Sequence, residues 1–262
     1  MSCGDVHYPA VILDWAGTTI DHGCLAPVAA LRHVLRDHGI EISSEEARLG
    51  MGLPKKEHLR GILTTFGAGS ATDEIYPRLE SALLEELEPR AALIPGTTDF
   101  GAWLRRRRIP ISSTTGYTSK MMQIVAPAAA RQGYVPDAIV TPDEAGAGRP
   151  SAAMIRTNLQ RLGLSAHAAV IKIGDTPADI AEGRAAGAWT IGVALTGNAL
   201  GLARAATDAL VPTERATRFT AARASLHAAN AHYVVDTLME SEAVLLEILA
   251  RIRAGDTAPV LK

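Results

Sequence analysis

Short apolar runs alternate with helix-compatible stretches along most of this sequence, and this alternation constrains the fold more than any other feature. Hydrophobicity within each run is continuous, which is typical of strands buried on both faces of a parallel sheet. The sequence therefore predicts an α/β fold with a doubly wound parallel sheet and helices on both sides. The candidate strands are AVILDW (10–15), IPISST (109–114), DAIVT (137–141), AVIKIG (169–174), WTIGVA (189–194) and HYVVDT (232–237).

One segment of about ninety residues breaks the alternation. Between the first and second candidate strands the pattern is helical only, with candidate helices at 27–38, 43–49, 55–66 and 73–87. A helical insert at this point is expected to form a second, mobile domain over an active site. We therefore predict a Rossmann-like catalytic core from residues 1–22 and 96–262, and an inserted helical cap domain from residues 23–95.

Composition argues against several classes of partner. The chain has 262 residues, a formal net charge of −2 and no long basic tract, so nucleic acid is not an expected partner. No apolar run is long enough to cross a membrane, and the first residues do not resemble a signal peptide. The chain has two cysteines, Cys3 and Cys24, and a reducing cytoplasm is the default location.

Acidic side chains stand where two candidate strands end. Asp14 follows the first strand, and Asp175 and Asp179 follow the fourth in the segment GDTPAD. Ligands of parallel sheets bind beyond the carboxyl ends of the strands. Carboxylates that converge there form a site for a hard cation such as Mg²⁺. Each acid alone is as well explained by helix capping, so the prediction depends on their occurring together.

Two further strand ends carry groups that suit a phosphoryl ligand. Thr115 and Gly116, in the segment STTGYT (113–118), are candidates for donating hydrogen bonds to phosphoryl oxygens. Tyr117 is a candidate for the wall of the site. Arg149, in TPDEAGAGRP (141–150), is a candidate for neutralising charge, because a guanidinium matches the geometry of phosphate.

These segments resemble the four motifs of the haloacid dehalogenase superfamily and, more narrowly, those of the phosphonoacetaldehyde hydrolase (phosphonatase) family. The resemblance implies Asp14 as nucleophile and a Mg²⁺ ion held by Asp14, the Ala16 carbonyl and Asp175, beside which Asp179 is the candidate supporting acid. It also implies a homodimer and a lysine that forms a Schiff base, Lys55. The segments that carry it are LDWAGTTID (13–21), EEARLGMGLPKKEHLR (45–60), STTGYTSKMM (113–122), TPDEAGAGRP (141–150), KIGDTPADIAEGRAAG (172–187) and NAHYVVDT (230–237).

The residue at position 16 indicates which type of bond such an enzyme would cleave. Enzymes of this kind usually place a second aspartate two residues after the nucleophile, where this chain has Ala16. A phosphate ester leaves as an alkoxide, which an acid can protonate, whereas a phosphonate leaves as a carbanion that needs an electron sink. An imine between a lysine and an aldehyde is such a sink. The resemblance thus implies hydrolysis of the carbon–phosphorus bond of phosphonoacetaldehyde, through a lysine Schiff base and an aspartyl phosphate.

The insert offers two adjacent lysines for the imine, Lys55 and Lys56. The spacing to Met51 and His58 favours Lys55, but the doublet leaves the choice open, and a lysine here is otherwise an exposed residue of a helix end. Pro54 is expected to start a helix, whose dipole, with the ammonium of Lys56, would lower the pKa of Lys55. His58 shares a helix face with Lys55 and is a candidate for moving protons or for simple packing. Met51 is a candidate for shielding the imine or for the core.

Three other functions stay open. A phosphate-ester phosphatase or phosphomutase would use the same core, but Ala16 argues against it. A dehalogenase that displaces halide needs no metal, and the segment GDTPAD argues against that reaction. A non-enzymatic protein that binds a metabolite would not require the whole set of polar groups.

Overall fold

The computed structural model describes residues 9–166 and 168–259. Within them, six strands form one parallel sheet in the order β3-β2-β1-β4-β5-β6. The first strand lies in the middle of the sheet and later strands are added outward on both sides of it, so the predicted doubly wound α/β fold is confirmed. The strands are β1 (Ala10–Leu13), β2 (Ile111–Thr114), β3 (Ala138–Val140), β4 (Val170–Gly174), β5 (Trp189–Val193) and β6 (Tyr233–Val235).

Each predicted strand contains an observed one, and the observed strands are shorter. Val11 and Leu13 of β1 face one apolar cluster, whereas Ala10 and Ile12 face another that includes Ile155. Successive side chains of a strand point to opposite faces, so the continuous apolar runs arise because both faces of the sheet are covered. Cys3 and the ends of the predicted core, 1–8 and 260–262, lie outside the described residues.

Helices flank the sheet throughout the described chain. Two short 3₁₀ turns, Gly69–Ala71 and Leu238–Glu240, accompany them. The helices are α1 (Leu25–Asp37), α2 (Ser44–Arg48), α3 (Lys55–Thr65), α4 (Thr72–Arg90), α5 (Thr97–Arg106), α6 (Ser119–Ala130), α7 (Pro142–Ala145), α8 (Ala153–Arg161), α9 (Pro177–Ala185), α10 (Arg204–Asp208), α11 (Pro212–Ala228) and α12 (Ser241–Arg253). None of the helices in the described part of the chain has the length and apolar character needed to cross a membrane.

The long segment between β1 and β2, where every residue is described, adds only helices. All four helices predicted in the insert are present as α1 to α4, with ends that differ by up to three residues from the predicted ones. The sheet takes no strand from this segment. That residues 23–95 form a cap domain separate from the core stays a prediction.

Helix α3 has one buried face, and its spacing decides which lysine turns inward. Its buried residues are Lys55, His58, Leu59, Ile62 and Leu63. Positions separated by three, four, seven and eight residues lie on one side of an α-helix. Apolar packing of Leu59, Ile62 and Leu63 therefore carries Lys55 and His58 into the interior with them.

Candidate active site

Acidic residues from β1 and β4 lie side by side because those strands are neighbours. Leu13 pairs with Ile173, and the Asp14 N–H donates to the Ile173 carbonyl oxygen at 2.9 Å. Asp14 and Asp175 therefore leave the sheet at the same edge. With Asp179, in the first turn of α9, they form a buried cluster in which one ligand oxygen from each lies within 4.8 Å of the others. The structure thus brings together the acids that the sequence predicted to converge.

The charges of this cluster fit a divalent cation. Arg149 lies 2.6 Å from Asp14 and 3.0 Å from Asp179, and Lys172 lies 2.9 Å from Asp179. In the part of the chain that the structure describes, no ion pair within 4 Å involves Asp175. A buried carboxylate without a cationic partner is costly unless a metal ion compensates it.

The Ala16 carbonyl lies beside this acidic cluster. The Cys24 thiol contacts both the Ala16 carbonyl oxygen and Asp175 Oδ2, each at 3.3 Å. Burial raises the pKa of Asp175 well above its usual range, and the charges of Asp14 and Asp179 raise it further. The predicted ligand atoms are all oxygens, which is the donor set of Mg²⁺ and other hard cations. The predicted ligands Asp14, Ala16 and Asp175 therefore fit such an ion.

Arg149 is buried against the acids of the site. Its Nη2 contacts Asp14 Oδ1, its Nε lies 3.1 Å from Glu182 Oε2, and its Nη1 donates to the Gly52 carbonyl at 3.3 Å. Although burial opposes it, the charges of Asp14, Asp179 and Glu182 raise the pKa of Arg149 above its usual value. A phosphoryl group that binds here must share the guanidinium with these carboxylates.

Two buried charged residues of the site, Lys172 and Glu182, were not predicted from the sequence. Lys172 Nζ lies 2.8 Å from Thr114 Oγ1, 2.9 Å from Asp179 and 3.3 Å from Glu182. Despite burial, Arg149 and Lys172 hold the pKa of Asp179 below its usual value. The signal was present in the sequence, because a lysine inside the apolar run AVIKIG is rarely buried unless it is paired.

The loop before α3 lies directly on the strand ends, and two glycines allow this approach. Gly52 has a φ of +89°, and a Cβ there would overlap the side chain of Thr176. A Cβ on Gly116 would lie 2.5 Å from the Leu53 carbonyl oxygen. Backbone of the loop thus rests on backbone of the core. This contact is a reason for glycine at position 116 that the sequence analysis did not identify.

The loop before α3 and the strand ends beneath it enclose a narrow cavity of about 20 Å³, which has room for about one water molecule. Every lining residue comes from a predicted motif, and eight of the ten were predicted as site residues. Asp175, Asp179 and His58 do not line it. The lining residues are Asp14, Ala16, Met51, Gly52, Lys55, Thr115, Gly116, Tyr117, Arg149 and Thr176.

The structure separates the two lysines of the doublet. Lys55 is 5% exposed and its ammonium lies 5.2 Å from the centre of the Tyr117 ring. Lys56 points away, and its Nζ pairs with Asp73 at 2.7 Å near the surface. The lysine favoured by spacing is therefore the one that reaches the cavity.

Burial lowers the pKa of Lys55 from 10.5 to about 8. Removal from water is the largest cause, because it penalises the charged ammonium, and Asp14 opposes the shift. From the sequence, the helix dipole and the ammonium of Lys56 were expected to lower this pKa. The direction agrees, but burial is the largest cause, and Lys56, whose ammonium is paired with Asp73, is not among the groups that shift this pKa.

His58 is buried behind Lys55 in its neutral form. Its Nε2 lies 3.1 Å from the Ala47 carbonyl oxygen, which can only accept a hydrogen bond, so Nε2 carries the proton and Nδ1 keeps a lone pair. Burial and the charge of Lys55 lower the pKa of His58 to about 3. His58 is thus a proton acceptor of low basicity in this conformation.

Thr115, Tyr117 and Met51 complete the walls of the cavity. Thr115 Oγ1 accepts a hydrogen bond from the Tyr117 N–H at 3.0 Å, which leaves its own proton free for another acceptor. Among the described residues, the Tyr117 hydroxyl has no hydrogen-bond partner although it is buried. Met51 is 5% exposed and places a thioether against the same space.

Comparisons with known proteins find related hydrolases. A family model described as haloacid dehalogenase-like hydrolase matches residues 8–187, and a related one matches residues 146–241. A phosphonoacetaldehyde hydrolase of Nitratidesulfovibrio vulgaris is 40% identical over 95% of this chain and 93% of its own. One from Bacillus cereus is 41% identical over 91% of this chain and 96% of its own. The crystal structure of a phosphonoacetaldehyde hydrolase-like protein from Oleispira antarctica superposes with a TM-score of 0.90, at 34% identity and 96% coverage of both chains.

Proposed function

This chain belongs to the haloacid dehalogenase-like hydrolase family, and we propose that it hydrolyses the carbon–phosphorus bond of phosphonoacetaldehyde to acetaldehyde and phosphate. The observation that carries the proposal is a buried lysine, Lys55, in the same cavity as Asp14, with alanine at position 16. The names of the relatives in Nitratidesulfovibrio vulgaris and Bacillus cereus support it. Ala16 removes the usual acid and Lys55 supplies an electron sink, a combination that suits a carbon leaving group and not an alkoxide.

The proposed metal site consists of Asp14, the Ala16 carbonyl and Asp175, with Asp179 in support. When bound there, Mg²⁺ would offset the charge of the acids and of the phosphonate. The acids that surround the site outnumber the buried cations Arg149 and Lys172, which supports this assignment.

In the first half of the proposed mechanism, Lys55 activates the carbon skeleton. Its neutral amine adds to the aldehyde carbon, and loss of water gives an imine whose protonated form withdraws electrons. Nδ1 of His58 is the proposed proton carrier: its low pKa keeps this nitrogen unprotonated and available as an acceptor, and a proton that it takes up is released again at once. Met51 and Tyr117 cover the imine and keep water away.

In the second half, Asp14 attacks phosphorus. The carbon–phosphorus bond breaks, its electron pair moves into the protonated imine to form an enamine, and Asp14 becomes an aspartyl phosphate. Thr115, Gly116 and Arg149 are proposed to hold the phosphoryl oxygens. Protonation and hydrolysis of the enamine release acetaldehyde and free Lys55, and a water molecule cleaves the aspartyl phosphate.

The cavity of about 20 Å³ is too small for phosphonoacetaldehyde. Substrate entry therefore requires the proposed cap, residues 23–95, to move away from the core, after which closure would exclude water. The homodimer stays a prediction, and sedimentation at micromolar concentration would test it.

The deciding experiment incubates the protein with phosphonoacetaldehyde and Mg²⁺ and measures phosphate and acetaldehyde together. We expect the two products in equal amounts, and no turnover after chelation of the metal. A common phosphate monoester in a parallel assay provides the comparison. Faster turnover of the monoester would overturn the proposal in favour of a phosphatase or phosphomutase.

A further inference from the structure

Arg48 is an arginine of the proposed cap that binds the opposite side of the active-site cleft. It closes α2, and its Nη1 donates to the Gly23 carbonyl at 2.7 Å and to Asn198 Oδ1 at 3.2 Å. Its Nη2 donates to the Gly201 carbonyl at 2.7 Å. One guanidinium thus connects α2 to Gly23, the first residue of the proposed cap, and to the loop after β5 in the core.

Asn198 continues this connection to the acidic cluster. Its side-chain amide donates back to the Arg48 carbonyl at 3.4 Å, and its backbone N–H donates to Asp175 Oδ2 at 2.6 Å. Asn198 therefore contacts the cap with its side chain and a proposed metal ligand with its backbone. A backbone N–H that binds a carboxylate oxygen also favours the ionised form of that carboxylate.

Two glycines fit the loop 197–201 tightly between these partners. A Cβ on Gly201, whose φ is +68°, would lie 2.5 Å from Arg48 Nε. A Cβ on Gly197 would overlap the side chain of Asp175. The loop therefore has little room to change its position while Arg48 is bound on one side and Asp175 on the other.

We propose that Arg48 and the loop 197–201 form a clamp that couples closure of the cap to the position of Asp175. The inference rests on the proposed cap and metal site. When the cap closes, Arg48 fixes the loop, and the Asn198 N–H then holds the Asp175 carboxylate in one orientation. By linkage, a metal ion bound at Asp175 favours closure to the same extent that closure favours metal binding. Arg48 is a positioning residue, since its guanidinium donates hydrogen bonds to Gly23, Asn198 and Gly201, none of which lines the cavity.

The test replaces Arg48 by glutamine and measures two properties that require no substrate. The first is amide hydrogen exchange of the loop 197–201, and the second is the affinity for Mg²⁺ by calorimetry. We expect exchange in the loop to accelerate at least tenfold and Mg²⁺ affinity to fall at least fivefold. Arg48→Lys, which keeps the charge but not the fork of donors, should give intermediate values.

Arg32→Gln is the matched control, because Arg32 also donates to a carbonyl, that of Ile42, but within the proposed cap. It should change neither property. Faster exchange in β4 as well as in the loop of Arg48→Gln would indicate general destabilisation and would contradict the clamp. Unchanged exchange and unchanged Mg²⁺ affinity in this variant would also contradict it. Failure of wild-type protein to cleave phosphonoacetaldehyde would refute the proposed function instead, and leaves both of these measurements interpretable.

Discussion

Lys55 should form an imine at neutral pH far more readily than an ordinary lysine. The attacking species is the neutral amine, and with a pKa of about 8 roughly a quarter of Lys55 is neutral at about pH 7.5. A lysine with the usual pKa of 10.5 is neutral in about one molecule in a thousand at that pH. Burial therefore raises the reactive fraction about 200-fold, which corresponds to about 3 kcal/mol.

The assay is reductive trapping with borohydride in the presence of phosphonoacetaldehyde, followed by peptide mapping of the adduct. The initial rate of labelling should rise with pH and level off just above the pKa of Lys55, because the base is then fully deprotonated. Lys55→Arg should abolish the adduct, since a guanidinium forms no stable imine. Lys56→Arg should leave the rate unchanged, because the Lys56 ammonium is paired with Asp73 outside the cavity.

Three results would refute this reasoning. A rate that continues to rise to about pH 10 would show that burial does not depress the pKa of Lys55 in solution. An adduct on Lys56 would show that the lysine identified by burial is not the reactive one. Product release without labelling of either lysine would remove the electron sink from the mechanism.

Three further predictions concern the rest of the site. Asp14→Asn should reduce phosphate release by roughly a thousandfold or more. It should preserve trapping on Lys55, because imine formation needs no nucleophile at phosphorus. Loss of trapping would contradict the assignment of separate roles to Asp14 and Lys55. Gly116→Ala should raise the KM about tenfold or more, since its methyl group would lie 2.5 Å from a backbone oxygen of the facing loop; Gly61→Ala, with open space around it, should behave as wild type. The Tm of metal-free protein should fall as pH rises from about 4 through the raised pKa of Asp175, because this carboxyl ionises at lower cost in the unfolded chain than in the folded protein. Added Mg²⁺ should restore the Tm. A Tm of metal-free protein that rises over this pH range would contradict the prediction.

The sheet could be predicted because its physics is local. A run such as AVIL at 10–13 is buried on both faces, and that burial is visible as unbroken hydrophobicity. Strand ends were less accurate: Ile109 and Pro110 were predicted as strand but precede β2. Such residues are apolar because they pack against neighbouring elements, and hydrophobicity alone does not distinguish that packing from pairing in the sheet.

The site could be predicted only as far as single positions allow. Asp14 and Asp175 were identified because each directly follows a strand. Thr114 contacts both Lys172 and Glu182, which lie 58 and 68 positions further along the chain. No local sequence pattern predicts contacts over such separations. The choice between Lys55 and Lys56 likewise required the direction of α3, which the packing of its apolar residues determines.

The contact of backbone with backbone at Gly52 and Gly116 has a consequence for how this active site can evolve. At this contact the separation of loop and core is set by peptide groups, so replacing side chains by smaller ones cannot change it there. A relative that accepts a bulkier aldehyde as substrate must instead differ in the length of the loop that carries Gly52, or in the length of the segment that joins this loop to the core. Across relatives, the size of the accepted substrate should therefore follow insertions and deletions in that loop more closely than substitutions around the cavity.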